Sequence, residues 1–138
     1  MAYTIRKVDY FYIEAANKPG EAGKVLAAFR DAGVNLLAFS GFPQGRKAQI
    51  DFIPENAAAF KAAAKKAGLK LSPRKTGFLV QGEDRTGAIA EIAGKLAAAN
   101  INITACDGVS AGAGRFGAIL WVKGTDVGKA AKVLGAQS

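Results

Sequence analysis

The sequence predicts an α+β protein built from two tandem ferredoxin-like βαββαβ units, each with an antiparallel sheet and helices on one face. The first observation behind this prediction is an internal repeat, because residues 17–41 return in the same pattern at residues 84–108. Self-similarity at a fixed spacing indicates a duplicated structural unit. The second observation is the order of segments in each copy, strand-helix-strand-strand-helix-strand, which is the split βαβ arrangement. We therefore expect a first unit over residues 7–73 and a second over residues 74–138.

The elements of the first unit follow from their residue types. Residues 8–15 are rich in aromatic and β-branched side chains, which favours a strand. After Pro19 and Gly20, apolar residues recur at helical spacing over 21–32, and Gly33 suits the left-handed position that ends a helix. The remaining expected elements are strands over 34–40, 47–53 and 69–72 and a helix over 57–67.

The second unit repeats this plan with one strand missing. Asn100 stands where the first copy has Gly33, and asparagine is the usual substitute for glycine at a left-handed helix end. Too little chain remains after residue 134 for a last strand, which would leave an uncovered sheet edge. We predict that residues 2–6 supply this fourth strand, because they precede the first strand as residues 69–72 precede its counterpart. The other expected elements are strands over 76–81, 101–110 and 116–123 and helices over 87–99 and 126–134.

Composition narrows the class of function. Half of the 138 residues are hydrophobic, as in a folded chain, but no apolar run is long enough to span a membrane. The sequence lacks a secretory signal pattern, and its single cysteine, Cys106, cannot form an internal disulfide, which agrees with a cytoplasmic location. It has no histidine, the commonest general base and metal ligand. We therefore expect a cytoplasmic protein that is not an enzyme and uses no metal or cofactor.

The net charge of +8 raises the question of nucleic-acid binding. Basic residues concentrate over 61–75. Clusters of this kind are more often a solvated helix face than a phosphate-binding patch, so we favour the solvated face.

The strand-to-helix turn of each copy is the first candidate binding site. A helix start carries unpaired N–H groups and a partial positive charge that can hold a carboxylate, and Gly20 and Gly87 would allow a ligand to approach the backbone closely. Asn17 or Asp84 could accept a hydrogen bond from an ammonium group. The alternative is that these two side chains simply cap the helices. The candidate residues are Asn17, Lys18, Pro19, Gly20 and Glu21 in the first copy and Asp84, Arg85, Thr86, Gly87 and Ala88 in the second.

An asparagine followed by an apolar residue recurs after each helix. These pairs are Asn35-Leu36 and Asn102-Ile103. They could be ordinary turn residues. Their recurrence in both copies favours a paired polar site.

Turn, helix stop and asparagine form one motif in each copy: Asn17, Pro19, Gly20, Gly33, Val34, Asn35 and Leu36, and then Asp84, Thr86, Gly87, Asn100, Ile101, Asn102 and Ile103. The motif resembles the ACT domain, a small-molecule-binding regulatory module, and the resemblance covers essentially the whole chain. It implies side-by-side pairing of the modules into an eight-stranded sheet. It also implies an amino-acid effector at the interface of two modules, held by the turn and by the second strand's asparagine. Because no enzyme or DNA-binding domain accompanies the modules, it implies a stand-alone regulator.

RNA-recognition modules share this topology and stack bases on aromatic residues of their middle strands, so RNA binding is the alternative function. Residues 114–121 superficially resemble the longer of their two motifs. Repeat alignment predicts that Ile119 and Trp121 face the helices, which leaves Phe116 and Leu120 as a poor stacking platform on the open face. Nucleic acid is therefore not the partner that we favour, nor is a membrane.

The predicted open face of the sheet is too apolar for exposure to water. An uncovered patch of this kind indicates a partner surface, so we expect a homodimer or a target-protein contact, alternatively a protein-interaction role for the module itself. Its residues are Tyr10, Tyr12, Leu37 and Phe39 in the first unit and Phe116, Leu120 and Val122 in the second.

Overall fold

The computed structural model describes residues 3–137 and confirms the α+β class. Its antiparallel sheet has six strands in the order β2-β3-β1-β4-β6-β5, so the expectation of an eight-stranded sheet is wrong. The strands are β1 (Tyr3–Ala16), β2 (Leu36–Gln44), β3 (Lys47–Pro54), β4 (Lys75–Glu83), β5 (Ile103–Gly112) and β6 (Arg115–Val122). The helices are α1 (Glu21–Asp31), α2 (Ala57–Lys66), α3 (Ala88–Ala98) and α4 (Val127–Leu134), the last preceded by a 3-10 turn at Gly124–Asp126.

The strand predicted over residues 69–72 is absent from the sheet, because this segment has no regular strand structure. The Tyr12 N–H donates to Ser72 Oγ at 2.9 Å instead of to a backbone carbonyl, and the Ser72 N–H donates to the Tyr12 carbonyl. Pro73 follows and has no N–H with which to continue a ladder. The segment therefore makes local hydrogen bonds to β1 without becoming a strand.

The chain divides into two compact units. The first unit runs from Asp9 to Lys75, and the second combines the residues up to Val8 with those from Thr76 onward. The long strand β1 thus contributes its beginning to the second unit, where Thr4 Oγ1 donates to the Gln81 carbonyl at 3.4 Å. Arg6 of the same segment forms an isolated parallel bridge with Gln137. Ala2 and Ser138, which the predicted bounds include, lie outside the described residues.

The core of the first unit is aromatic. Alternate residues of β1 and β3 point toward the helices, and Phe11 lies opposite Phe52 in the strand pair. Phe29 of α1 and Phe60 of α2 stack on each other with ring centroids 4.4 Å apart. All four rings are almost fully buried, so helices and sheet meet through one aromatic cluster.

The core of the second unit is mostly aliphatic, and it corrects the predicted faces of β6. Phe116, Leu120 and Val122 pack in a cluster with residues of α3 and α4, whereas Ile119 and Trp121 are buried outside that cluster. The predicted open-face position of these three residues is therefore wrong, as is the helix-facing position of Ile119 and Trp121.

A single extra residue explains this inversion. Phe11 and Phe78 are equivalent in the repeat. Their strand partners, Phe52 and Leu120, are separated along the chain by one residue more than Phe11 and Phe78 are. The register of β5 shifts between Ser110 and Gly112, beside the hairpin. Because successive side chains of a strand point to opposite faces, a slip of one residue turns every side chain of β6 over.

The helix ends obey the repeat closely. Gly33 has φ 74° and Asn100 has φ 59°, which confirms the left-handed positions predicted for both. Each is followed by the hydrogen-bond pair of a Schellman motif, as when the Val34 N–H donates to the Phe29 carbonyl at 2.9 Å. The helices α1 and α3 therefore end with the same pattern of backbone hydrogen bonds. Within residues 3–137, no helix combines the length and apolarity that crossing a bilayer requires.

Candidate functional site

The starts of α1 and α3 differ from an ordinary capped helix. Their first flanking residues are Gly20 (φ 90°) and Gly87 (φ 81°), and no side chain caps either helix. In contrast, α2 begins conventionally, with Asn56 Oδ1 accepting from the Ala59 N–H at 2.9 Å. The N–H groups in the first turn of α1 and α3 thus keep the partial positive charge of a helix start without a side-chain acceptor.

Asn17 and Asp84 do not cap these helices, so the capping interpretation is wrong. The Asn17 N–H donates to the Arg46 carbonyl in the β2–β3 hairpin. Asp84 accepts from Ser110 Oγ at 3.0 Å through its Oδ2 atom, and its N–H donates to the Gly114 carbonyl. Each residue therefore fastens its turn to the neighbouring hairpin.

The two turns differ in charge. In the first unit, Glu21 stands at the first helical position and accepts ion pairs from Lys18 at 3.7 Å and Lys24 at 3.4 Å. A carboxylate at a helix start is stabilised by the helix dipole and repels a second carboxylate. In the second unit, the buried Ala88 occupies the same place. The first turn of α3 carries Glu91 instead, which pairs with Arg85, so each helix has one acidic side chain in its first turn.

A hydrogen-bonded network in the second unit involves one predicted site residue, Arg85. Its Nη2 donates to Glu91 Oε2, while the Tyr3 hydroxyl donates to Glu91 Oε1 at 2.8 Å. Two hydrogen bonds lower the pKa of Glu91, and the bond from Arg85 has a larger effect than the bond from Tyr3. The bond between Arg85 and Glu91 also raises the pKa of Arg85. Burial, followed by the bond to Glu91, raises the pKa of Tyr3. Arg85 is thus held by α3.

This network predicts a pH dependence of stability. Because the folded-state pKa of Glu91 lies below its unfolded value, the network stabilises the fold above about pH 4.3 and loses that contribution as the pH falls through the folded-state pKa. Urea unfolding at pH 7 and pH 3.5 should show a smaller acid-induced loss of stability in Glu91→Gln than in the wild type. Glu83→Gln, which alters an exposed carboxylate outside the network, is the control. Equal losses in the wild type and Glu91→Gln would contradict the prediction.

The second half of the predicted set lies at the other end of the helices. Asn35 and Asn102 follow the ends of α1 and α3, and both are exposed. A helix of 11 residues spans about 16 Å, so neither unit by itself brings its glycine turn and its asparagine together. Leu36 and Ile103 are half-buried and pack against their cores. The remaining turn residues, Pro19 and Thr86, are exposed.

A groove of about 500 Å³ opens on the first unit beside Asn35. Its lining includes Arg30 at the end of α1, Leu36 at the start of β2, and Phe39, whose side chain is 54% exposed. Sequence reasoning placed Asn35 and Leu36 in a ligand site but missed Arg30. The helical spacing of the apolar residues of α1 leaves Arg30 as one solvated position among several, with nothing to distinguish it.

Exposed apolar residues are fewer than the sequence predicts. Phe39 and Phe42 on β2 and Val109 on β5 are the large hydrophobic side chains exposed among the described residues. Tyr10 and Tyr12 are half-buried, and Lys75 Nζ lies 5.3 Å from the Tyr12 ring centroid. No group of three or more acidic, cysteine or histidine side chains within residues 3–137 is arranged to hold a metal ion.

Solved structures share this fold over almost the whole chain. A protein from Bacteroides thetaiotaomicron has a TM-score of 0.79 to this structure at 17% sequence identity, covering 98% of this chain and 90% of that one. The regulatory subunits of aspartate kinase from Thermus thermophilus, in its ligand-free form, and from Thermus flavus have TM-scores of 0.66 and 0.60, both at 15% identity. Each match covers 98% of this chain and 95% of the neighbour. No family model and no curated protein matches the sequence.

Proposed function

We propose that this chain is a regulatory protein that binds a small amino acid and does not transform it. Two of its structural neighbours are named as regulatory subunits of aspartate kinase, which supports the proposal. The observation that carries it is the uncapped, glycine-led start of both α1 and α3. The resemblance to the ACT domain extends the proposal to an effector held at the interface of two ACT-like modules.

The chemistry of the turns suits an amino acid. A carboxylate is stabilised by the free N–H groups and the dipole of a helix start. A Cβ atom built on Gly20 or Gly87 would meet no atom within 4 Å, so there is open space directly above the backbone at both turns. In the second unit, Asp84 belongs to the same turn, and its carboxylate, which accepts from Ser110 Oγ, could also accept a hydrogen bond from an ammonium group. Because Ala88 leaves the first helical position of α3 without a charge, we choose the turn at Gly87 for the test of the proposal.

A protein contact is a second candidate function. It is favoured by the exposed phenylalanines of β2, Phe39 at 54% and Phe42 at 40%. RNA binding has less support, because Phe116, the aromatic residue of the RNA-recognition-like segment, is buried against α3 and α4 and cannot stack on a base.

A thermal-shift screen of the protein against the twenty amino acids tests the proposal. A ligand that binds only the folded state raises the midpoint as its concentration rises. Gly87→Asn should then weaken binding of the ligand at least about tenfold, or about 1.4 kcal/mol, because a side chain fills the open space while asparagine tolerates a positive φ. Gly94→Ala, a change elsewhere on α3, is the matched control. The proposal fails if no amino acid shifts the midpoint.

A further inference from the structure

The second unit is built from two separate parts of the chain. Residues 3–8, at the beginning of β1, belong to it together with the residues from Thr76 onward, and the first unit, Asp9 to Lys75, lies between them in the sequence. The two parts of the second unit are therefore covalently joined only through the whole of the first unit.

Residues 3–8 are an integral part of the second unit. Tyr3 and Ile5 are 5% and 4% exposed and pack in its hydrophobic core. The segment lies next to β4 in the sheet, and its backbone also bonds to Gln137: the Lys7 N–H donates to the Gln137 carbonyl at 2.8 Å, and the Gln137 N–H donates to the Ile5 carbonyl at 2.9 Å. Without a strand at this position, the core and the edge of β4 would be uncovered. The second unit therefore requires an occupant here.

A second copy of this chain can supply that occupant. The side chains and backbone groups that fill the position all belong to residues 3–8, so the same segment of another molecule makes the same contacts. A segment tethered to its own unit competes at an effective concentration on the order of millimolar. A second copy held at a similar concentration therefore replaces it in a comparable fraction of molecules.

The junction of the two units is suited to act as a hinge for this exchange. The strand β1 runs through it from Val8 to Asp9, so the backbone is already extended and no tight turn has to be opened. Asp9 Oδ1 lies 3.9 Å from Arg74 Nη1, and these side chains are 39% and 68% exposed. An ion pair this exposed contributes little to stability. Rotation at the junction therefore moves residues 3–8 as one piece at small cost.

We propose that two copies of this chain form a dimer by exchanging residues 3–8, each segment entering the second unit of the other copy. The exchange carries Tyr3 across, and its hydroxyl then donates to Glu91 of the other copy, as it does within one chain at 2.8 Å. Glu91 also pairs with Arg85, in the turn that leads to Gly87. In the dimer, each of these turns is thus supported by a residue of the other copy.

A disulfide that can form only between chains tests the exchange. Thr4 and Gln81 are exposed on adjacent strands, and Thr4 Oγ1 lies 3.4 Å from the Gln81 carbonyl oxygen. One variant carries Thr4→Cys and the other Gln81→Cys, both with Cys106→Ser, so each has a single cysteine and no intrachain disulfide is possible. The two are mixed in urea, refolded together at about 1 mM or about 1 µM, and oxidised in air.

We expect a disulfide-linked heterodimer, identified by its mass, whose yield at the higher concentration is at least about tenfold that of a control mixture. The control pairs Thr4→Cys with Lys61→Cys, an exposed position in the first unit, also with Cys106→Ser. Light scattering of the wild type after the same refolding should show a dimer.

A wild type that remains monomeric at the higher concentration would overturn the proposal, and so would a heterodimer yield equal to that of the control. A wild-type dimer without the specific disulfide would overturn it as well, because its interface would then lie elsewhere. The exchange requires no effector, so a negative thermal-shift screen with amino acids would leave it in place.

Discussion

Phe60→Ala is expected to destabilise the first unit by about 3–5 kcal/mol, the usual range for a buried phenylalanine truncated to alanine. Phe60 is fully buried and contacts three other rings: its centroid lies 4.4 Å from that of Phe29 and 5.4 Å from those of Phe11 and Phe52. Removing it therefore loses apolar burial and three ring contacts, and it leaves a cavity where both helices meet the sheet.

Urea unfolding followed by far-ultraviolet circular dichroism measures this loss, and amide spectra show whether residues 9–75 carry it. Phe42→Ala is the matched control, because Phe42 is 40% exposed and its truncation should change the free energy of unfolding by less than about 0.5 kcal/mol. A loss below about 1 kcal/mol in Phe60→Ala would mean that the cluster collapses around the cavity and that the aromatic core is not a principal source of stability.

Ile5→Ala is expected to destabilise the second unit by about 2–5 kcal/mol. Ile5 is 4% exposed and packs in the cluster that contains Phe78 and Leu120, although many residues separate it from them in the sequence. Its backbone carbonyl also accepts from the Gln137 N–H at 2.9 Å. The beginning of β1 is therefore part of this core rather than a loose end beside it.

The single tryptophan, Trp121, belongs to the second unit, so its fluorescence reports the unfolding of that unit. The urea midpoint from Trp121 fluorescence should fall in Ile5→Ala and stay unchanged in Lys7→Ala, which alters an exposed side chain on the same strand. If both variants keep the wild-type midpoint, the amino-terminal segment contributes little to the second unit.

Local backbone requirements could be predicted from the sequence, because they depend on a few adjacent residues. The left-handed positions of Gly33 and Asn100 follow from glycine and asparagine at matching places of the repeat. The capping role considered for Asn17 and Asp84 was also inferred from adjacent residues, but it is wrong. A left-handed glycine stands between each of them and its helix, and their backbone groups bond to a hairpin.

Long-range features could not be predicted in the same way. The faces of β6 were inverted because one extra residue near Ser110 changes the register, and the apolar composition of the strand fits either face. Likewise, Tyr3 and Glu91 are 88 positions apart, and no local pattern links a strand tyrosine to one of several helix carboxylates. Glu91 also pairs with Arg85, so the surroundings of that candidate site residue depend on tertiary structure.

The nesting of one unit within the other affects how the chain is synthesised. Residues 3–8 are translated before the first unit, yet their partners in β4 and α4 are translated after the whole of it. At about 5–20 residues per second, the roughly 70 residues between this segment and β4 take about 4–14 s to make, and α4 follows later. Throughout that interval the first unit can fold, while Tyr3 and Ile5 remain exposed to chaperones and proteases. This segment therefore reaches its native place only after the first unit has been made.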